Sequence, residues 1–243
     1  MQHEKIAGNT NTSMLKILAL VFMCFDHFGK MLFPTVLEMR MIGRLAFPIY
    51  AWCLVVGICY TKNIWKYSLR LLVVGLVSQP IYMAALNHTW NEPNIFLTLF
   101  IALMGLAAIR ERKLYSHIWG PVLSLAMAQL LNCDYGWRGV LLIFLLYAAR
   151  KDKAALSAVF IAFCLMWGAS SSAVNKFFGW KIPYSQIPGL GVILSAFTRL
   201  QGLAILALPF IICPIKLRIK MNKWIGYALY PLHLVILWVL QLV

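Results

Sequence analysis

The chain has 243 residues, of which 62% are hydrophobic and 12% charged, against roughly 45–50% and 25% in an ordinary soluble domain; with a mean hydropathy of +0.80, a soluble globular protein is excluded. Twenty-two Lys plus Arg against seven Asp plus Glu leave a net charge of +15, a basicity that points to nucleic acid or to an anionic membrane surface. Because the apolar excess must itself be buried, the membrane reading prevails, lipid is the expected surrounding partner, and no nucleic acid is expected.

At about twenty residues per spanning helix the chain allows at most roughly nine or ten crossings, with no room for a separate soluble catalytic domain. Residues 1–13 read as a polar cytoplasmic tail, and the apolar run that follows lacks a small-x-small cleavage pattern, so it is read as a retained helix and not a signal peptide. Residues 14–243 then form one all-α domain, a polytopic membrane bundle of about nine transmembrane helices. In chain order the apolar runs are 14–33, 45–61, 67–86, 94–109, 114–131, 137–149, 154–168, 187–215 and 224–243. The sixth and seventh are short for a full crossing.

Lys and Arg collect in alternate connections: Lys62, Lys66 and Arg70; Arg110, Arg112 and Lys113; Arg150, Lys151 and Lys153; Lys216, Arg218, Lys220 and Lys223. By the positive-inside rule these connections face the cytoplasm, the chain is a multi-pass protein of the cell membrane, the N-terminus is inside and the C-terminus outside. Arg40 and Arg44 are the exception, on the outer side. No strong internal repeat is present, which weakens a secondary-transporter reading. The six cysteines have no C-x-x-C spacing and five fall within predicted spans, so neither a disulfide framework nor a metal site is expected.

An ionisable group inside a span is costly unless it faces the bundle interior, so each is a candidate for function. Asp26-His27 lies past the middle of the first run, towards the outer side. Imidazole can accept a proton near neutral pH, as acyl transfer requires; equally, Asp26 can pair with Lys30 one turn on while His27 bonds a neighbouring helix. Adjacent helical residues point about 100° apart, so Asp26 need not orient His27. Arg40 and Arg44 would share a face if the chain is already helical there, holding an anion or a developing oxyanion, or snorkelling to the interface. Arg199, near the middle of the 187–215 run, is expected to pair with a carboxylate such as Asp26 or Asp134, or to bind an anion. His233 shares a face with Tyr230, either as part of a site or repairing the kink at Pro231. Ser78-Gln79-Pro80, Asn94 and the stretch from Asp134 to Gly139 add polar positions, and their number argues for a polar interior cavity.

No nucleotide-binding glycine loop and no H-E-x-x-H is present. Taken together, Asp26-His27, Gly43-Arg44-Leu45-Ala46-Phe47-Pro48, Ser78-Gln79-Pro80, Asn94-Ile95-Phe96, Tyr135-Gly136-Trp137-Arg138-Gly139 and Tyr230-Pro231-Leu232-His233 resemble the TraX family, whose plasmid-encoded namesake is associated with N-terminal acetylation of conjugative pilin. The family looks related to a wider class of membrane acyltransferases in which a histidine is implicated in moving acetyl from cytosolic acetyl-CoA to an acceptor across the membrane. The resemblance implies an acetyl-CoA-dependent membrane acetyltransferase, with His27 catalytic, Asp26 beside it, Arg44 at the Gly-Arg-x-x-Phe-Pro element, and His233 a further candidate.

On that reading Lys66, Arg70 and Lys223 are candidates to attract the phosphates of acetyl-CoA, the acyl donor, and Arg44 or Arg199 stabilises the tetrahedral intermediate. The acceptor is not specified by the resemblance; a pilin-like peptide or a glycan both fit. The alternatives are a small-solute or proton-coupled transporter using Asp26, His27, Arg199 and His233, and a non-catalytic membrane partner whose polar residues serve helix packing.

Overall fold

The computed structural model of the chain describes residues 6–174, 176, 177, 179–181, 191, 197–217, 219 and 222–242. Helices dominate: α1 (Thr12–Met31), α2 (Leu37–Gly43), α3 (Ala46–Tyr60), α4 (Ile64–Leu86), α5 (Ile95–Glu111), α6 (Ser116–Leu130), α7 (Gly136–Ala149), α8 (Lys153–Ala169), α9 (Leu208–Ile212) and α10 (Lys223–Leu242). Among the described residues, four stretches are long and apolar enough to cross a membrane: Thr12–Met31, Leu37–Tyr60, Ile64–Leu86 and Trp224–Leu242. The remaining helices are shorter. At 1.5 Å per residue, α7 and α8 are about 21 and 25 Å long, less than the roughly 30 Å of a hydrocarbon core.

Amide and carboxylate side chains begin several of these helices. Asn11, Asn63, Asn94 and Asp152 each accept a backbone N–H of the first turn, satisfying donors that have no partner inside the helix. Left-handed residues end two of them, Asn87 after α4 and Arg112 after α5. The inner helix is α3, apolar on every side and buried from Ala46 to Ile58 apart from Tyr50 and Gly57, as a helix without a solvent or lipid face must be. It packs against α1, α5 and α7. Around it, α1 meets α10, α10 meets α4, α4 meets α5, α5 meets α7 and α7 meets α8. The N-terminal segment closes the ring: Asn9 N donates to Ile211 O at 2.7 Å, Asn11 Nδ2 to Leu217 O at 2.7 Å, and the indole of Trp52 on α3 to Asn9 O at 2.7 Å.

Outside this ring, α6 lies on α5 and α7 through a stripe of small residues four apart, Ser116, Gly120, Ser124 and Ala128, all buried. A Cβ on Gly120 would come within 2.4 Å of Ala108 Cβ, so the glycine sets how closely α6 approaches, as small residues do between membrane helices. The opposite face presents Ile118, Val122 and Leu130, exposed. Leu69, Val73 and Leu76 on α4 and Ile236 and Leu240 on α10 are exposed in the same way, forming the apolar exterior expected against lipid.

Two expectations are corrected. The 187–215 run is not one continuous helix over its described residues: Ala173 and Arg199 form an isolated antiparallel bridge, followed by a 3₁₀ turn at Gly202–Ala207 and the short α9. Gly202 lies against Gly168 of α8, where a Cβ on residue 168 would come within 2.9 Å of Gly202 Cα, and Pro209 opens α9 while Pro214 follows it, each lacking the N–H that a through-going helix needs. Residues 187–190 and 192–196 of that stretch lie outside the described residues. The connection before it carries a two-residue ribbon, Lys176–Phe177 against Trp180–Lys181, where only a loop is expected.

Gln79 and Asn94 fix α4 to α5. The Gln79 side-chain oxygen accepts from both the backbone N and Nδ2 of Asn94 at 2.9 Å, Asn94 Nδ2 also donates to Gly75 O at 2.8 Å, and Asn94 Oδ1 caps Phe96 N at 3.0 Å. Asn94→Ala removes the cap and leaves the Gln79 oxygen short of a donor in a buried place, so a loss of about 2–3 kcal/mol is expected. It is measured as a lowered Tm in lipid relative to wild type.

Candidate functional site

A polar cavity of about 370 Å³ lies between α1, α2, α3, α4, α10 and the 131–135 connection, within the roughly 300–1,000 Å³ range of small-molecule sites. Its polar lining includes Asp26, His27, Lys30, Arg40, Arg44, His88, Asp134 and Gln201, and aromatic rings of Tyr50, Tyr82, Tyr135, Trp167 and Tyr230 complete the wall.

His27 and Asp26 are neighbours in sequence but turn to different partners. His27 Nδ1 and His233 Nε2 are 2.9 Å apart, and His233 Nδ1 is 3.2 Å from Leu229 O. The two ring planes differ by 4° with centres 5.1 Å apart, a separation equal to the nitrogen–nitrogen distance plus the two ring radii, so the rings meet edge to edge in one plane and are not stacked face to face. A carbonyl oxygen can only accept, so His233 Nδ1 carries the hydrogen. In the neutral ring Nε2 is then an acceptor, and His27 Nδ1–H donates to it. His27 Nε2 is left with its lone pair and no hydrogen-bond partner among the described residues. The geometry is that of a base held in one tautomer by a second group. His233 thus joins α10 to α1 through its partner and does not serve the carbonyl that Pro231 leaves free.

Asp26 pairs with Arg44, Nη2 to Oδ1, and not with Lys30. Arg44 closes α2, its Nε donating to Arg40 O at 3.3 Å and its Nη1 to Gln201 Oε1 at 3.4 Å. Three of its five N–H groups are used in this way, leaving two. Arg40 and Arg44 share a helical turn, since α2 is formed where they stand. Gly43 makes the pairing possible: a Cβ there would lie 2.2 Å from Asp26 Cβ and 2.6 Å from Oδ1. Lys30 Nζ instead reaches His88 Nε2 at 3.1 Å, and His88 Nδ1 is 3.2 Å from Glu92 Oε2 while its ring stacks on Tyr82. These residues border the 87–94 connection. The Thr89 N–H, with His88, holds the Glu92 carboxyl below its usual pKa.

Asp134 sits in the connection between α6 and α7, its backbone oxygen accepting from Thr98 Oγ1 and its N–H donating to Pro93 O. Burial pushes its carboxyl up to about 6, with the positive charge of Arg44 opposing. Tyr135, next in sequence, stacks on Phe47 at 4.1 Å.

Other expected site residues lie elsewhere. Arg199 does not line this cavity: it stands in the bridge to Ala173, and its Nη1 donates to Ser171 O at 2.9 Å, while Arg44 takes the carboxylate that Arg199 was expected to meet. Lys66 is exposed in the first turn of α4. Arg70, one turn on, lies over the ring of Tyr67 at 5.7 Å, and Tyr67 lines a second cavity of about 120 Å³ with Lys16, Tyr50, Tyr227 and Tyr230. Lys223 opens α10, but its side chain lies outside the described residues. Among the described residues no group of three or more His, Cys, Asp or Glu is arranged to hold a metal ion. Gln201 and His88 were not anticipated. The signal for Gln201 was a polar side chain just before Gly202 in an apolar run; His88 is in a connection, where an imidazole is unremarkable by sequence.

Two outcomes follow. Arg44→Met leaves the part-buried Asp26 without a cation and is expected to cost up to about 3 kcal/mol, whereas Asp26→Leu with Arg44→Met removes both charges and costs less; thermal unfolding in lipid of the single and double variants measures the difference. Between pH 3.8, the ordinary value, and about 6, folded Asp134 holds its proton more tightly than the unfolded chain does. Its contribution to stability is therefore greatest below that window and is lost as pH rises through about 6. Asp134→Asn should raise Tm relative to wild type more at pH 7.5 than at pH 4.

A profile described as TraX protein matches residues 11–241. The chain is 24% identical over 237 residues to an uncharacterized protein of Rickettsia prowazekii, covering 95% of this chain and 90% of that one. It is 23% identical over 242 residues to protein TraX of Escherichia coli K12, covering 94% and 86%. It is also 30% identical over 157 residues to a probable fimbrial assembly protein FimC of Dichelobacter nodosus, covering 57% and 64%. No solved structure matches. The profile runs from the cap of α1 through nearly all of α10, taking in both histidines and the Asp26–Arg44 pair, and the chain belongs to the TraX family.

Proposed function

We propose that the chain is an integral membrane acetyltransferase that moves acetyl from cytoplasmic acetyl-CoA to an amine or hydroxyl of an extracytoplasmic or membrane-embedded acceptor. The observation that carries this reading is the hydrogen-bond order from Leu229 O through His233 to His27, which leaves an unprotonated Nε2 on a ring lining a polar cavity. The acceptor's N–H or O–H gives its proton to His27 Nε2 as its nitrogen or oxygen bonds to the acetyl carbon. The positive charge on His27 is shared with His233 through the in-plane hydrogen bond, and Leu229 O steadies it there. The two unused N–H groups of Arg44 stabilise the oxyanion. Collapse breaks the carbon–sulfur bond, and the proton on His27 passes to the departing sulfur.

The second cavity supports entry of the donor from the other end. Tyr50 and Tyr230 line both cavities, so they stand where the two approach each other. Lys16 and His27 are eleven residues apart on α1, about 16 Å along its axis, and the space near Lys16 admits a thin chain and not a nucleotide. The nucleotide part then stays at the mouth, where Arg70 lies beside Tyr67, with Lys66 and Lys223 on the same basic side. The orientation that places this mouth in the cytoplasm, with the N-terminus inside and the C-terminus outside after nine crossings, rests on the distribution of Lys and Arg. The fimbrial assembly name of one relative favours a pilin-like peptide over a glycan as acceptor.

The test is release of free CoA thiol from acetyl-CoA by the protein in lipid, with an extract of candidate acceptors. His27→Asn is expected to lower acceptor-dependent release by about 10²–10⁴-fold, and His233→Gln, whose amide oxygen can accept from His27 Nδ1–H, to retain more activity than His233→Leu. Full activity in a folded His27→Asn variant overturns the assignment. No release by wild type with a broad acceptor set, together with solute flux in sealed vesicles, replaces it with transport.

A further inference from the structure

The cavity contains hydrogen-bond donors that the mechanism above does not use. Arg44 donates to Asp26 and Lys30 reaches His88, but Arg40 Nε is buried with no acceptor, and so is Gln201 Nε2. Gln201 is 7% exposed. Its amide orientation follows from Arg44, which can only donate: the Gln201 oxygen must face the guanidinium, so the remaining atom is an NH₂ with hydrogens to give. Among the described residues no carboxylate lies within ion-pair distance of Arg40. Arg40 and Gln201 both line the cavity, one on either side of Arg44 along the wall from α2 to the 3₁₀ turn, with these two nitrogens themselves covered by neighbouring atoms. Buried donors without acceptors are rare in folded proteins, and an acceptor bound in the cavity beside these two side chains would give each of them a partner.

The charge balance agrees. Lys30, Arg40 and Arg44 face the cavity with only Asp26 and Asp134 against them, an excess of one positive charge when both carboxylates are ionised. A single negative charge restores neutrality, and a planar two-oxygen group matches the in-plane N–H groups of a guanidinium. We propose that Arg40 and Gln201 form a subsite for a carboxylate carried by the acceptor. This rests on reading the cavity as the acceptor's binding place. It narrows the acceptor from any amine or hydroxyl to one with a carboxylate near its nucleophile, such as an acidic peptide or a uronic acid.

The subsite is tested by binding alone, without acetyl-CoA, so that it does not depend on turnover. Thermal unfolding of the full chain in lipid is followed with increasing N-acetylglycine or glucuronate, and with N-acetylglycinamide and glucose as uncharged counterparts. A carboxylate probe is expected to raise Tm in a saturable way while its neutral counterpart does not. Arg40→Gln should weaken that binding by roughly tenfold or more, the loss of one charge-assisted interaction, and Gln201→Leu should weaken it as well, which keeps the test open if Arg40→Gln does not fold. Preference for N-acetylglycine supports an acidic peptide, and preference for glucuronate supports a glycan. Equal shifts with charged and neutral probes, no shift with either carboxylate, or unchanged binding in both variants overturns the subsite. Carboxylate binding without any acetyl transfer keeps the subsite and overturns the enzyme reading.

Discussion

A carboxylate and a guanidinium removed from water each carry a desolvation cost of several kcal/mol unless they meet with good geometry, and in this bundle that demand is placed on Asp26 and Arg44. Asp26 stands on a helix long and apolar enough to span a bilayer, and Arg44 closes the short helix that leads into the innermost one. Their pairing therefore ties α1 to the entrance of α3. It requires the two backbones to approach more closely than any side chain on residue 43 would allow, and Gly43 supplies that approach. With Arg44 held, its side chain also orients Gln201, and with α1 held in rotation about its axis, His27 is turned towards α10.

The rest of the site is a consequence of that rotation. Residues 26 and 27 are about 100° apart around α1, so one faces α2 and the other α10. A charged pair and a neutral imidazole pair sit side by side without sharing a proton. This separation distinguishes the arrangement from an aspartate-backed histidine: the group that sets the tautomer of His27 is another imidazole, itself set by a backbone carbonyl. Such a chain sets the tautomer of His27 with neutral groups alone, which suits an interior where net charge is expensive. The Gln79–Asn94 clamp plays the corresponding part on the opposite wall, fixing the start of α5 beside the cavity.

Much of the architecture was legible in the residues. Apolar runs bounded by Asn, Asp, Pro and clustered cations located nearly all the helices within a few residues, because in lipid each backbone polar group must be satisfied within its own helix and hydropathy reports where that happens. The run from 187 to 215 misled because hydropathy does not register a break when the breaking residues are Gly202, Pro209 and Pro214 among apolar neighbours. Arg199 was accordingly assigned a depth and a partner that belong to a continuous helix. The ribbon at Lys176–Phe177 and Trp180–Lys181 was hidden because two-residue strands have no periodicity.

By itself the sequence determined that the chain is a bundle of apolar helices, which polar residues must turn inward, and that it carries the TraX family's pattern from the first helix to the last. Burial costs alone require the first two, and the third is read from the identity of the residues; all three depend on what each residue is and not on what it touches. Only the tertiary structure decided which inward residues meet: Asp26 with Arg44 and not Lys30, His27 with His233 and not Asp26, Arg199 with a backbone carbonyl and not a carboxylate. Those pairings depend on the rotation of each helix about its axis and on how closely two backbones approach, which packing between distant segments sets and local spacing does not.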